Sequence, residues 1–114
     1  MKTSIKIFRP DGTVEERDVS QLFPPMTQPG NRELRDLLMP IFNGGHMQHV
    51  TVLHNAQRAD MFVDEDGHAK GLPHNEAATA IYRNNWLTHH PEDKPESLPF
   101  VVGSAVLFSR RVWF

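Results

Sequence analysis

The stretch "VDEDGHAKGLPHNEAATAIY", residues 63 to 82, contains the change from strand to helix that decides the fold. An apolar strand pattern ends in an acidic turn, Asp64 to Gly67, and a helical run begins after Asn75. Gly67 suits the left-handed position of that turn, and Gly71 permits a sharp corner. Pro73 pre-sets the backbone and Asn75 is expected to cap the helix. We favour this interpretation, in which the stretch is a structural connection.

The same stretch predicts, as an alternative, a ligand site at the start of the helix. Helix N-termini carry unpaired N–H groups and a partial positive charge, which suit a phosphate or a carboxylate. The residues of this predicted site are Lys70, Gly71, Asn75, Glu76 and Ala77. The several spaced glycines of a P-loop or a dinucleotide fingerprint are absent from the stretch. Nucleotide binding is therefore the less favoured interpretation.

Upstream, "SIKIFRPDGTVEERDV" (residues 4–19) predicts a β-hairpin. Ile5 and Ile7 alternate with polar neighbours, and "PDG" at 10–12 has the residue types of a tight turn. The returning strand is more polar, so we expect it at an edge of the sheet. "NRELRDLLMPIF" (residues 31–42) then predicts a helix that Pro40 kinks or ends. Its apolar stripe is Leu34, Leu37, Leu38 and Ile41.

Residues 46–55 and 59–64 predict two further strands, and the second of these continues into the opening stretch. The helix that begins at Asn75 should direct Ala78, Ile81, Tyr82 and Trp86 toward the core. "PFVVGSAVLFS" (residues 99–109) is apolar on both faces, which predicts a central strand. The element order is β-β-α-β-β-α-β. We therefore predict an α+β fold, with a mixed, largely antiparallel sheet flanked by two helices.

The composition limits the class of protein. A chain of 114 residues is expected to form a single domain, 1–114. The formal net charge is −2, so no positive field attracts nucleic acid and we expect no nucleic-acid partner. Cysteine is absent, which excludes disulfides and thiolate sites. No signal-peptide pattern and no run of transmembrane length are present, so we expect a cytoplasmic protein without a membrane partner.

A resemblance to a known family lies mainly in the C-terminal half. "VDEDG", "KGLPHNEAATAIY" and "VVGSAVLF" resemble the small bacterial, plasmid and phage proteins grouped as domain of unknown function 3846. Residues 88–97 form a longer loop than that family pattern, and "SRRVWF" extends beyond its last strand. The family has no established biochemical activity. The resemblance therefore implies a mixed α/β fold and a mobile-element setting.

Metal and catalytic motifs do not stand out. Seven histidines are present, and His46 and His49 are spaced as H-x-x-H, but residues three apart on a strand point to opposite faces. "DEDG" lacks the ligand periodicity of a calcium loop. The serines lack a nucleophile elbow. We predict no metal, no cofactor and no catalytic residue, and we favour a protein that is not an enzyme.

The tail "SRRVWF" carries a predicted interaction surface of Arg110, Arg111, Trp113 and Phe114. Large rings at a chain end favour either packing on the core or contact with a partner, because tryptophan and arginine often dominate interfaces. We expect self-association into a homodimer. A fold-back of the tail onto its own core is the alternative, and a nucleic-acid contact is a weaker one.

Three functions remain open at this point. The first is a non-enzymatic accessory protein of a phage or plasmid that acts by binding another, unknown protein. The second is a small-ligand or nucleotide binding module that uses the helix start near Lys70 to Ala78. The third is a divergent hydrolase without a recognisable motif.

Overall fold

The computed structural model describes residues 3–21, 31–42, 47–54, 57–94, 98 and 100–109. It contains β1 (Ser4–Phe8), β2 (Val14–Asp18), α1 (Asn31–Leu38), β3 (Met47–His54), β4 (Gln57–Asp64), α2 (Gly67–Lys70), α3 (Glu76–His89) and β5 (Ala105–Phe108). The five strands form one sheet in the order β2-β1-β5-β4-β3. The predicted α+β class and element order are confirmed, with α2 as an additional single helical turn.

The positions of two strands follow from their side chains. The charged strand β2 lies at one edge, and the apolar strand β5 lies in the centre with all four residues buried. Both placements are as the sequence predicts. Each strand pair among the described residues is antiparallel, whereas the sequence predicted a mixed, largely antiparallel sheet.

The two main helices cover opposite faces of the sheet. Leu34 and Leu38 of α1 pack with the side chains that form the α1 face, namely Ile5, Ile7, Phe62, Val106 and Phe108. Ala78 of α3 packs with those of the α3 face, namely Val52, Ala59, Met61, Val63, Ala105 and Leu107. Alternation along each strand assigns neighbouring residues to different faces. The resulting three layers, helix on sheet on helix, bury both faces of β5.

The ends of the helices agree with three local predictions. Helix α1 ends at Leu38, two residues before Pro40, as expected for a proline that cannot continue a helix. Asn75 caps α3, because its side chain accepts a hydrogen bond from the Ala78 N–H. Gly71 has a left-handed backbone, with φ of 68°, at the C-terminus of α2.

The prediction for Gly67 is wrong. Gly67 has no positive φ and is the first residue of α2. A Cβ atom at this position would lie 2.7 Å from Val102 Cγ2, a distance that real side chains do not adopt. Gly67 is therefore required for close packing of α2 against the segment before β5, and not for the turn.

Trp86 is half-buried and belongs to neither core cluster of the described residues. Its ring stacks on Tyr82 and lies 4.6 Å from the ring of His90. Its indole N–H donates to Asp93 Oδ2 at 2.7 Å. The sequence directs Trp86 toward the core, whereas in the structure it joins the end of α3 to the loop that follows.

Candidate functional site

A pocket of about 220 Å³ opens on the α3 face, between α2, α3 and the segment 100–102. Its lining comes from four separate parts of the chain. The lining residues are Gln48, Val50, Val63, Asp64, Glu65, His68, Tyr82, Phe100, Val101 and Val102. Valines and aromatic rings form most of the wall, and a few polar groups lie among them. This combination is typical of binding sites in proteins.

The charged groups of the pocket are carboxylates. Asp64 is buried and accepts hydrogen bonds from Lys70 Nζ and from the Asp66 N–H, each at 2.9 Å. Its negative charge is therefore compensated by Lys70. Glu65 is exposed, and its carboxylate forms no hydrogen bond or ion pair with the described residues. No lysine or arginine is among the described residues that line the pocket.

Phe100 lies at the pocket and is held between two imidazole rings. Its ring centroid is 5.1 Å from that of His68 and 5.0 Å from that of His74, and both contacts are edge-to-face. His68 Nε2 lies 2.9 Å from the Phe100 carbonyl, to which it can only donate. Phe100 nevertheless stays 44% exposed. A large apolar ring is thus held in place at the surface.

Asn75 joins the segment that carries Phe100 to the rest of the fold. Its Nδ2 donates to the carbonyls of Phe8 and Gly103, both at 2.8 Å, while its Oδ1 accepts from the Ala78 N–H at 3.1 Å. The residue is fully buried. Its amide hydrogens and its oxygen are therefore engaged within the protein. Asn75 joins β1, the segment before β5 and the start of α3.

Thr79 completes the same network one turn further along α3. Its hydroxyl donates to the Asn75 carbonyl at 2.7 Å and accepts from the Val101 N–H at 2.9 Å. His74 Nε2 lies 3.1 Å from this hydroxyl. Since the single hydroxyl proton is used by Asn75, His74 has to donate from Nε2. The motif "GLPHNEAAT" therefore holds residues 100–103 in place, and these residues carry Phe100 and Val102 to the pocket.

The five residues of the predicted helix-start site lie in different surroundings. Lys70 pairs with Asp64, Gly71 ends α2, and Asn75 is engaged as described. Glu76 and Ala77 are exposed and line a second pocket, of about 320 Å³, beside the β1–β2 turn. The structure therefore does not bring Lys70 together with Glu76 and Ala77 in one pocket. The helix-start site stays a prediction.

The second pocket has a mixed-charge lining that includes Arg9, Asp11 and Glu76. The Thr13 hydroxyl and N–H both donate to Asp11 Oδ1, and these bonds hold the pKa of Asp11 below its usual value. Arg9 pairs with Glu15 at 2.8 Å, and Glu15 also pairs with Arg17. These hydrogen bonds, that of Arg17 first, lower the pKa of Glu15 to about 2. The charges around this turn are thus largely paired with one another.

One polar pair could not be predicted from the sequence. His49 Nε2 lies 2.7 Å from Oδ1 of Asp60, which is fully buried in β4. The pair spans neighbouring strands, with His49 opposite Phe62, so sequence spacing gives no signal for it. Within the described ranges, no group of three or more histidine, cysteine, aspartate or glutamate residues could hold a metal ion.

The pocket could not be predicted from the sequence either, because its residues become neighbours only through the order of the strands. Phe100 falls in the stretch predicted as strand, whereas β5 begins at Ala105. The predicted interaction surface of Arg110, Arg111, Trp113 and Phe114 lies outside the described residues. No helix in the described part of the chain is long and apolar enough to cross a membrane.

Comparison with protein-family models, with curated proteins and with solved structures gives no match to this chain. The resemblance to domain of unknown function 3846 therefore stays a prediction.

Proposed function

We propose that the protein is a non-enzymatic binding protein, and that its α3-face pocket takes one side chain of a protein partner. The size and lining of the pocket carry this proposal. Its volume of about 220 Å³ lies below the range of about 300–1,000 Å³ that is typical of small-molecule and cofactor sites. A single inserted side chain suits this volume better than a nucleotide does.

The charges at the pocket also disfavour a nucleotide. The two charged side chains of the described lining are Asp64 and Glu65, and both are carboxylates. Lys70, the nearby cation, already pairs with Asp64. Phosphate binding needs unengaged cationic groups or free N–H groups, so this pocket does not suit a nucleotide.

Phe100 supports binding to a macromolecule. An exposed aromatic ring that is held by its neighbours loses little side-chain entropy when a partner covers it. Aromatic residues next to a cavity are frequent centres of interface energy. Phe100 between His68 and His74 meets these conditions.

The proposal is tested by obstructing the pocket with Gln48→Trp. Gln48 is an exposed residue of β3 that lines the pocket, so a large ring there is expected to fill the opening. A partner isolated with the unmodified chain should bind the variant at least about tenfold more weakly, as measured by titration with the purified partner.

The matched control is Glu16→Trp. Glu16 is exposed on β2, the opposite edge strand, so the same ring is added far from the pocket. Both variants should keep the melting temperature of the unmodified chain, and the control should bind the partner normally. Unchanged binding by Gln48→Trp, or equal loss in both variants, would refute the pocket as the docking site.

We propose the mobile-element setting on the family resemblance alone. In that setting the chain is an accessory protein of a phage or plasmid. A captured partner that belongs to replication, transcription or defence against such elements would support the setting. A partner from central metabolism would contradict it without affecting the pocket.

Self-association through Arg110, Arg111, Trp113 and Phe114 is the remaining proposal about partners. A chain shortened after Ser109 tests it, since Ser109 still exchanges hydrogen bonds with Ser4 at the end of β5. We expect the full chain to sediment as a dimer and the shortened chain as a monomer. If both sediment as monomers of equal stability, the tail is neither an interface nor part of the core.

A further inference from the structure

Three polar side chains that line the α3-face pocket have no hydrogen-bond partner among the described residues. They are the carboxylate of Glu65, the phenol of Tyr82 and the amide of Gln48. They contrast with Asp64, Asn75 and Thr79 nearby, whose polar atoms are engaged within the protein. Polar groups that line a cavity and have no internal partner are available to orient a bound group.

The unengaged groups share one chemical character, because each offers an oxygen acceptor. Glu65 adds a full negative charge, and the described lining contains no lysine or arginine to balance it. The pocket therefore favours an occupant that donates hydrogen bonds and carries positive charge.

The walls limit the shape of that occupant. Tyr82, Phe100 and His68 bring three flat rings to a small pocket, together with the aliphatic side chains of Val50 and Val63. A flat cation can stack on such rings while its stem packs on the valines.

We propose that the pocket binds an arginine side chain of the partner protein, with Glu65 as its counter-ion. This inference rests on the proposed function, since it names the side chain that the pocket takes. The guanidinium group is planar, always charged and weakly hydrated, and it has five N–H donors for the carboxylate and the neighbouring oxygens. A lysine ammonium is strongly hydrated and cannot stack in this way, so the pocket prefers arginine.

The test uses the full chain labelled with ¹⁵N and two probes that differ in charge. N-acetyl-arginine methylamide carries the guanidinium, and N-acetyl-citrulline methylamide has nearly the same shape without the charge. We expect the arginine probe to shift the amide signals of Glu65, His68 and Val102. We also expect it to bind about tenfold more tightly than the citrulline probe, as charged hydrogen bonds are stronger than neutral ones.

Two variants assign the effect to the pocket. Glu65→Gln should weaken binding of the arginine probe by about tenfold and leave binding of the citrulline probe unchanged. Glu16→Gln removes the same charge from the opposite edge strand and should change neither. Raising the salt from about 0.1 M to about 1 M should weaken the arginine probe, because an exposed carboxylate is screened.

Equal binding of the two probes, or binding that Glu65→Gln leaves intact, would overturn the assignment of arginine. Signal shifts confined to residues outside the pocket would overturn it as well. These outcomes differ from failure of the proposed function. A partner that is lost with Gln48→Trp but is insensitive to Glu65→Gln would show that the pocket docks a protein through another side chain.

Discussion

Asn75→Ala is expected to lower the free energy of unfolding by about 3–5 kcal/mol. The fully buried Asn75 side chain caps α3 through Ala78 and donates to the carbonyls of Phe8 and Gly103. Alanine removes the cap, worth about 1 kcal/mol, and deprives two carbonyls of a donor at about 1–2 kcal/mol each. Urea unfolding followed by circular dichroism measures the change.

Asn84→Ala is the control, since Asn84 is exposed on the same helix and should change stability by less than about 0.5 kcal/mol. Asn75→Asp keeps the cap acceptor but places a carboxylate against two carbonyls. Its folded pKa should therefore rise above that of the unfolded chain, so its stability should improve as pH falls through the folded pKa. Equal losses for Asn75→Ala and Asn84→Ala would contradict this account of the network.

Phe108→Ala is expected to lower the free energy of unfolding by about 3–5 kcal/mol, mainly through the cavity that it leaves. Phe108 is fully buried on the α1 face, and its ring lies edge-to-face with that of Phe62, 5.7 Å away. The position is in the central strand, where neighbours on both sides limit relaxation. Chemical denaturation of the purified variant measures the loss.

The same substitution at Phe100 provides the comparison. Phe100 is 44% exposed and contacts two histidine rings, so Phe100→Ala should cost no more than about 1–2 kcal/mol. The larger loss of stability is expected at the core ring, Phe108, and the smaller loss at the surface ring, Phe100. A greater loss at Phe100 than at Phe108 would show that the segment 100–102 supports the fold more than β5 does.

The sequence predicts the elements well because each has a local period. Ile5 and Ile7 show the alternation of a half-buried strand, and Leu34 and Leu38 show the spacing of a helix stripe. The position of β5 follows from its apolar character on both faces, and that of β2 from its charges. Asn75 is identified as a cap from its residue type and its place before a helical run.

The pocket could not be predicted, since its parts meet through long-range order. Gln48, Glu65, Tyr82 and Phe100 are far apart in the chain, and the sheet order and the motif network bring them together. Local residue type also misled the prediction at Gly67. Glycine there allows a close approach of Val102, a requirement that comes from a segment 35 residues later and leaves no local pattern.

The place of β5 in the sheet has a consequence for the order of folding during synthesis. The hairpins β1–β2 and β3–β4 are each local, but β5 alone lies between them and pairs with both β1 and β4. The edges of β1 and β4 that pair with β5 stay unpaired until residues 105–108 leave the ribosome, almost a hundred residues after β1. Until then the nascent chain exposes two unpaired strand edges together with apolar faces. Such surfaces are prone to aggregation, and they are the surfaces that chaperones cover.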